Sequence, residues 1–138
     1  MKSINVFVRH AVVLFVLLLS VSAGAEENKQ NSLESLLGKY EGTLEVHMFR
    51  TLTHEYQTEI VSVDKVANTL SLTVSCRECE EKHWKRNNCK ITEIKEGIKF
   101  VCKSTYSEEN YTVNEGELKI TGFGKKWPYS VNAKKVAQ

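Results

Sequence analysis

The sequence predicts an all-β domain, an up-and-down antiparallel meander barrel of about eight strands with a short N-terminal helix. Three observations carry this. From Lys39 onward, apolar and polar residues alternate with the period of a half-buried strand. The alternating runs are short and end at turn residues such as Asn114-Glu115-Gly116 and Gly122-Phe123-Gly124. No long stretch carries the 3.6-residue period of an amphipathic helix. Connections this short favour a meander, and strands with one apolar face each lose their free edges by closing on themselves. A two-sheet sandwich is the alternative for the same set of strands.

The chain opens with an export signal. Lys2 and Arg9 supply positive charge, Ala11 to Leu19 is a continuous apolar run, and Ala23-Gly24-Ala25 is a small-x-small cleavage pattern. The run is far shorter than the ~20 residues that span a bilayer. Residues 1–25 are therefore expected to be a signal peptide and 26–138 a single secreted or periplasmic domain, with no integral membrane segment after cleavage. The whole sequence has a formal charge of +2, from 19 basic and 17 acidic residues. Losing Lys2 and Arg9 makes the mature domain neutral, without the basic footprint of a nucleic-acid binder.

Within the domain, Asn31-Ser32-Leu33-Glu34 has the form of a capping box. Leu33, Leu36 and Leu37 share a face and Gly38 stops the turn. A helix of one or two turns is expected at about 32–37, plugging one end of the barrel. The first strand follows, with Tyr40, Gly42, Leu44, Val46 and Met48 on one face. Residues 54–64 form the second strand, and Leu70, Leu72, Val74 and Cys76 mark the third. Residues 77–88 read as a charged loop. Strands at about 89–95 and 98–106 are joined across Lys95-Glu96-Gly97. Another runs near 109–114, with Tyr111 and Val113 on one face. Leu118 and Ile120 mark the seventh strand, and Tyr129, Val131 and Ala133 the last.

A short helix, then Gly38-Lys39-Tyr40 at the start of strand one, then an eight-strand meander resembles the calycin group of lipocalin- and avidin-like barrels. The group carries Trp where this chain has Tyr40, and its Thr-Asp-Tyr run is missing. The resemblance covers most of the mature chain as topology and three residues as motif. It implies a barrel with one open mouth and a small-molecule or partner site there.

All four cysteines lie between residues 76 and 102, and export makes them oxidisable, so Cys76, Cys79, Cys89 and Cys102 are expected to form two disulfides. In a meander Cys76 and Cys102 stand two strand spacings apart, about 9–10 Å, beyond the ~7 Å limit for a bridge. Cys89 can take either neighbour. A two-residue turn at Lys95-Glu96 puts Cys89 opposite Cys102. A three-residue turn including Gly97 puts Lys90 there instead, which favours Cys76–Cys89 with Cys79–Cys102. The Cys76-x-x-Cys79 spacing also suits a zinc knuckle, but no second knuckle accompanies it. No metal and no cofactor are expected.

No Gly-x-Ser-x-Gly, His-Glu-x-x-His or phosphate-cradling loop occurs. The chain therefore reads as a non-catalytic binding protein, not an enzyme, holding a small apolar molecule or a protein partner at the barrel mouth. Candidate contact residues are Trp84, Lys85 and Arg86 between the cysteines, with Tyr40 and Phe100 on the inner face. The inner-face residues fill a narrow barrel or line the cavity of a wider one. The alternative is a protein-interaction module, an inhibitor or envelope-assembly factor, using the 77–88 loop. His47 and His54 flank the first hairpin turn as surface histidines. Asn110-Tyr111-Thr112 is a glycosylation sequon pointing outward. Lys125-Lys126-Trp127-Pro128-Tyr129 pairs cations with aromatics. Trp127 and Tyr129 are expected to close the barrel with the lysines solvated, a membrane surface or polyanion being the other reading.

Overall fold

The computed structural model describes residues 33–105 and 107–137. The expected signal peptide and the Asn31 end of the capping box lie outside these residues. Eight antiparallel strands run β1 (Gly38–His47), β2 (Thr51–Asp64), β3 (Thr69–Ser75), β4 (His83–Ile94), β5 (Ile98–Lys103), β6 (Glu108–Asn114), β7 (Glu117–Phe123) and β8 (Pro128–Lys135). Each pairs with its sequence neighbours and β1 pairs with β8, so the meander closes into a barrel. The sandwich alternative is excluded. At the β1–β8 seam Gly42 faces Ala133, and a Cβ on Gly42 would fall 1.9 Å from the Asn132 carbonyl oxygen. The strands approach so closely there that only glycine fits.

One end of the barrel, its base, is closed. It carries the β2–β3, β4–β5 and β6–β7 turns. Glu115 and Gly116 both have positive φ, as a two-residue hairpin turn matched to strand twist requires. Leu33–Leu37 form a single turn held by Leu36 N–H to the Leu33 carbonyl (3.2 Å) and Leu37 N–H to the Glu34 carbonyl (3.1 Å). This turn is the described part of the helix expected at 32–37, and no full helix is present among the described residues. Leu33 and Leu36 are buried, Tyr40 donates its hydroxyl to the Leu36 carbonyl at 2.9 Å, and Lys135 donates to the Ser35 carbonyl. Above this plug, Tyr40, Ile60, Leu70, Phe100, Tyr111, Leu118, Ile120 and Val131 occupy the interior. The rings of Phe100 and Tyr111 stack at 4.6 Å. An eight-strand barrel is just wide enough for such side chains to fill.

Strand β4 departs most from expectation. Residues 83–88, expected as loop, are its first half. Trp84, Arg86, Cys89 and Ile91 turn inward, while Asn87 and Asn88 both lie outside. Ser71 alone faces the Asn87-Asn88 pair, a β-bulge in which Asn88 takes φ 57°. The extra residue changes the parity of the strand, so no single alternation runs through it. A second bulge at Thr92 changes the parity again.

That second bulge corrects the expected cysteine pairing. The disulfides are Cys76–Cys79 and Cys89–Cys102, not Cys76–Cys89 with Cys79–Cys102. The β4–β5 turn does have three residues: Ile94 faces Ile98, and Gly97 has φ 127°. The inserted Thr92 then restores the register by one residue and sets Cys89 opposite Cys102, with Cα atoms 4.3 Å apart. Two smaller corrections concern the rim. β1 ends at His47, which leaves Met48 in the turn and 39 % exposed rather than on the inner face, and β5 ends at Lys103 rather than at 106.

Candidate functional site

The end opposite the plug carries the β1–β2, β3–β4, β5–β6 and β7–β8 connections and holds a cavity of about 360 Å³. Leu44, Val46 and Tyr56 form one wall, from β1 and β2. Cys79, Glu81, Trp84 and Arg86 form another, from the 76–82 loop and β4. Ser104, Thr105 and Ser107 edge it between β5 and β6, and Gly124, Lys125 and Tyr129 between β7 and β8.

The floor is a polar network built on one layer of the barrel. In register order, Cys89 faces Cys102, Cys102 faces Glu109, Glu109 faces Gly122, and Gly122 faces Tyr129. Glu109 shares the inward parity of Tyr111 and Val113, and its side chain is only 4 % exposed. A buried carboxylate is costly unless its oxygens are satisfied. Here Arg86 Nε donates to Oε2 and Nη2 to Oε1, both at 3.1 Å, in the bidentate geometry that suits a guanidinium. Tyr111 donates to Oε2 at 2.8 Å and Tyr129 to Oε1 at 2.5 Å. Gly122 makes the last bond possible. A Cβ there would lie 2.5 Å from the end of the Tyr129 ring, so its absence lets the ring cross toward Glu109.

Arg86 also lies 5.9 Å from the centre of the Trp84 ring, within cation–π range. Burial acts to lower the Arg86 pKa, but the hydrogen bonds and charge of Glu109 outweigh it and the guanidinium is held more firmly protonated than usual. Burial first, then the charge of Glu109, pushes the Tyr129 hydroxyl upward. The same two causes raise Tyr56, and burial with the neighbouring Tyr56 and Glu109 raises Tyr111. Burial alone lifts Tyr40, at the base, to about 12.

These shifts set an alkaline limit on stability. Each phenol holds its proton more tightly in the folded chain than at its ordinary pKa of 10. Their contribution is therefore fully present below pH 10 and is lost as pH rises from there through the folded values. The denaturation midpoint is expected to show no tyrosine-driven change from neutral pH to about 9, then to fall above 10. Denaturant titrations across this range, with phenolate absorbance recorded in parallel, check it. More than one of the chain's five tyrosines giving phenolate near the ordinary pKa while the chain is still folded would contradict the burial argument.

The expected contact residues separate. Trp84 and Arg86 come together at the cavity. Lys85, one residue between them on a strand, points outward and is exposed. Tyr40 and Phe100 are buried in the filled interior and do not line the cavity. His47 is exposed beside Ser130 (3.0 Å), and His54 meets Glu78 at 3.0 Å, tying β2 to the 76–82 loop. Asn110 is exposed on β6. Glu109, Tyr111, Tyr129 and Tyr56 were not expected as a group. Their signal was parity, since Glu109 alternates in step with Tyr111 and Val113. Comparison with protein-family models, with curated proteins and with solved structures found no match for this chain. The closed eight-strand meander is consistent with the resemblance to calycin barrels, and no family match accompanies it.

Proposed function

We propose that the chain is exported, loses residues 1–25, and acts as a non-catalytic binding protein whose mouth cavity takes a small, largely apolar, uncharged molecule. The observation that carries this is a 360 Å³ cavity with apolar walls, Leu44, Val46, Tyr56 and Trp84, over a floor whose charges are already paired. The volume falls within the ~300–1,000 Å³ of small-molecule sites. Glu81 and Lys125 stand at the edge of the cavity; at its floor an anionic ligand would have to displace Glu109 from Arg86, and a cationic one would have to compete with Arg86 for Glu109. Both exchanges break a buried bidentate pair. The same saturation argues against acid–base chemistry, because each Glu109 oxygen already accepts two hydrogen bonds. The two disulfides fit an oxidising compartment.

The neutral apolar fluorophore N-phenyl-1-naphthylamine tests the reading. The exported protein is expected to bind one equivalent saturably, with energy transfer from Trp84. Val46→Trp, which fills the cavity from its wall, is expected to weaken binding at least tenfold while leaving the thermal midpoint in place. Saturable binding that ignores Val46→Trp, or no saturable binding, would rule out the cavity as the site.

A further inference from the structure

We infer that one side of the mouth, built from the β1–β2 turn and the β7–β8 loop, docks the protein on an anionic lipid surface. The seam of the barrel brings these two segments together, since Val46 at the end of β1 faces Tyr129 at the start of β8. The β1–β2 turn is Met48-Phe49-Arg50, where hairpin turns ordinarily carry Gly, Asn or Asp. Phe49 is 97 % exposed, and its ring meets Trp127 edge-on at 5.6 Å. Phe123, in register with Pro128 at the end of the same β7–β8 loop, is 56 % exposed and Met48 39 %. Single exposed apolar residues need no explanation, but a contiguous aromatic group marks a contact surface.

Charge and shape select the partner. Residues 48–50 and 122–128 contain Arg50, Lys125 and Lys126 and no carboxylate. All three cations are exposed. Of the acidic residues toward this end, Glu78, Glu80 and Glu81 belong to the 76–82 loop on the β3–β4 side of the mouth, Glu108 pairs with Lys103 at the β5–β6 connection, and Glu45 lies below the turn on β1, in register with Ser130. Protruding aromatics flanked by Lys and Arg are the composition of membrane-interface anchors, with rings at the headgroup level and cations among anionic lipids. A lipid surface accepts a side chain as fully projecting as Phe49 without a complementary pocket. A soluble polyanion would use the cations and leave the exposed rings unused. The inference does not depend on what the cavity binds, although the cavity opens at the same rim through Lys125.

Trp127 reports the contact directly. The full chain is mixed with vesicles of equal parts phosphatidylcholine and phosphatidylglycerol carrying brominated acyl chains. Emission is expected to be quenched in the wild type and not in Trp127→Phe, which assigns the quenching to Trp127 rather than to Trp84. Quenching should weaken as salt rises. The triple variant Arg50→Gln, Lys125→Gln, Lys126→Gln should partition roughly a hundredfold more weakly, about fivefold for each cation. Phe49→Ser changes a side chain with almost no internal contact, so it should fold normally and lose the quenching. Absence of Trp127 quenching in the wild type, or quenching unchanged in both variants, would overturn the inference. Binding to heparin as tight as to vesicles and indifferent to Phe49→Ser would replace the lipid surface with a polyanion.

Discussion

Arg86→Ala is expected to lower the stability of the domain by about 3–5 kcal/mol, the largest effect of any single substitution argued for this chain. The loss does not come from the strength of the ion pair itself. A buried pair roughly offsets its own desolvation, and replacing both partners with apolar groups is often neutral. The loss comes from what remains. Glu109, 4 % exposed, would keep the hydroxyls of Tyr111 and Tyr129 but lose both guanidinium bonds and the cation that balances its charge. The double variant Arg86→Met, Glu109→Gln, whose neutral amide can still pair with both tyrosine hydroxyls, accepting from one and donating to the other, is therefore expected to recover most of what Arg86→Ala loses. Urea midpoints for wild type, each single variant and the double variant complete the cycle. A double variant no more stable than Arg86→Ala would mean that the pair supports the fold beyond satisfying its own charges.

This pair also marks how far the sequence could be read. The barrel is legible because most strands keep strict alternation: Leu70, Leu72 and Val74 on β3, Ile98 and Phe100 on β5, and Leu118 and Ile120 on β7 are all buried in step. The turn residues between them mark the strand ends. The site is less legible because it is built where alternation fails. Trp84 and Arg86 are inward at even positions and Cys89 and Ile91 at odd ones, and the Asn87-Asn88 bulge between them hides the strand. A run with Lys82, Lys85 and Arg86 then looks like a solvated loop, although its aromatic and one of its cations point into the cavity. Glu109 is the converse case. Its parity was plain, but a carboxylate is read as solvent-facing by default, and the Arg86 that permits its burial stands 23 residues away and two strands over.

Removing the Cys89–Cys102 bridge by Cys89→Ala with Cys102→Ala is expected to cost about 3 kcal/mol, and removing Cys76–Cys79 about 2 kcal/mol. The difference follows from the loops they close, since the sequence separations are 13 and 3 residues and closure entropy grows with loop length. The larger bridge has a second effect that entropy does not include. The Thr92 bulge holds β4 and β5 one residue away from the register that their three-residue turn would otherwise continue. In the unbulged register Lys90 would face Cys102, and Cys89 would leave the core face, since a one-residue slip reverses every side chain. The disulfide fixes the bulged register covalently. It thereby fixes the layer in which Cys102 faces Glu109 and Glu109 meets Arg86. Loss of the Cys89–Cys102 bridge is accordingly expected to accelerate amide hydrogen exchange along β4 and β5 and to weaken probe binding at the mouth. Loss of Cys76–Cys79 should leave β4–β5 exchange unchanged. Equal stability losses for the two bridges, with exchange in β4 and β5 untouched by either, would show that the bulge holds its register unaided.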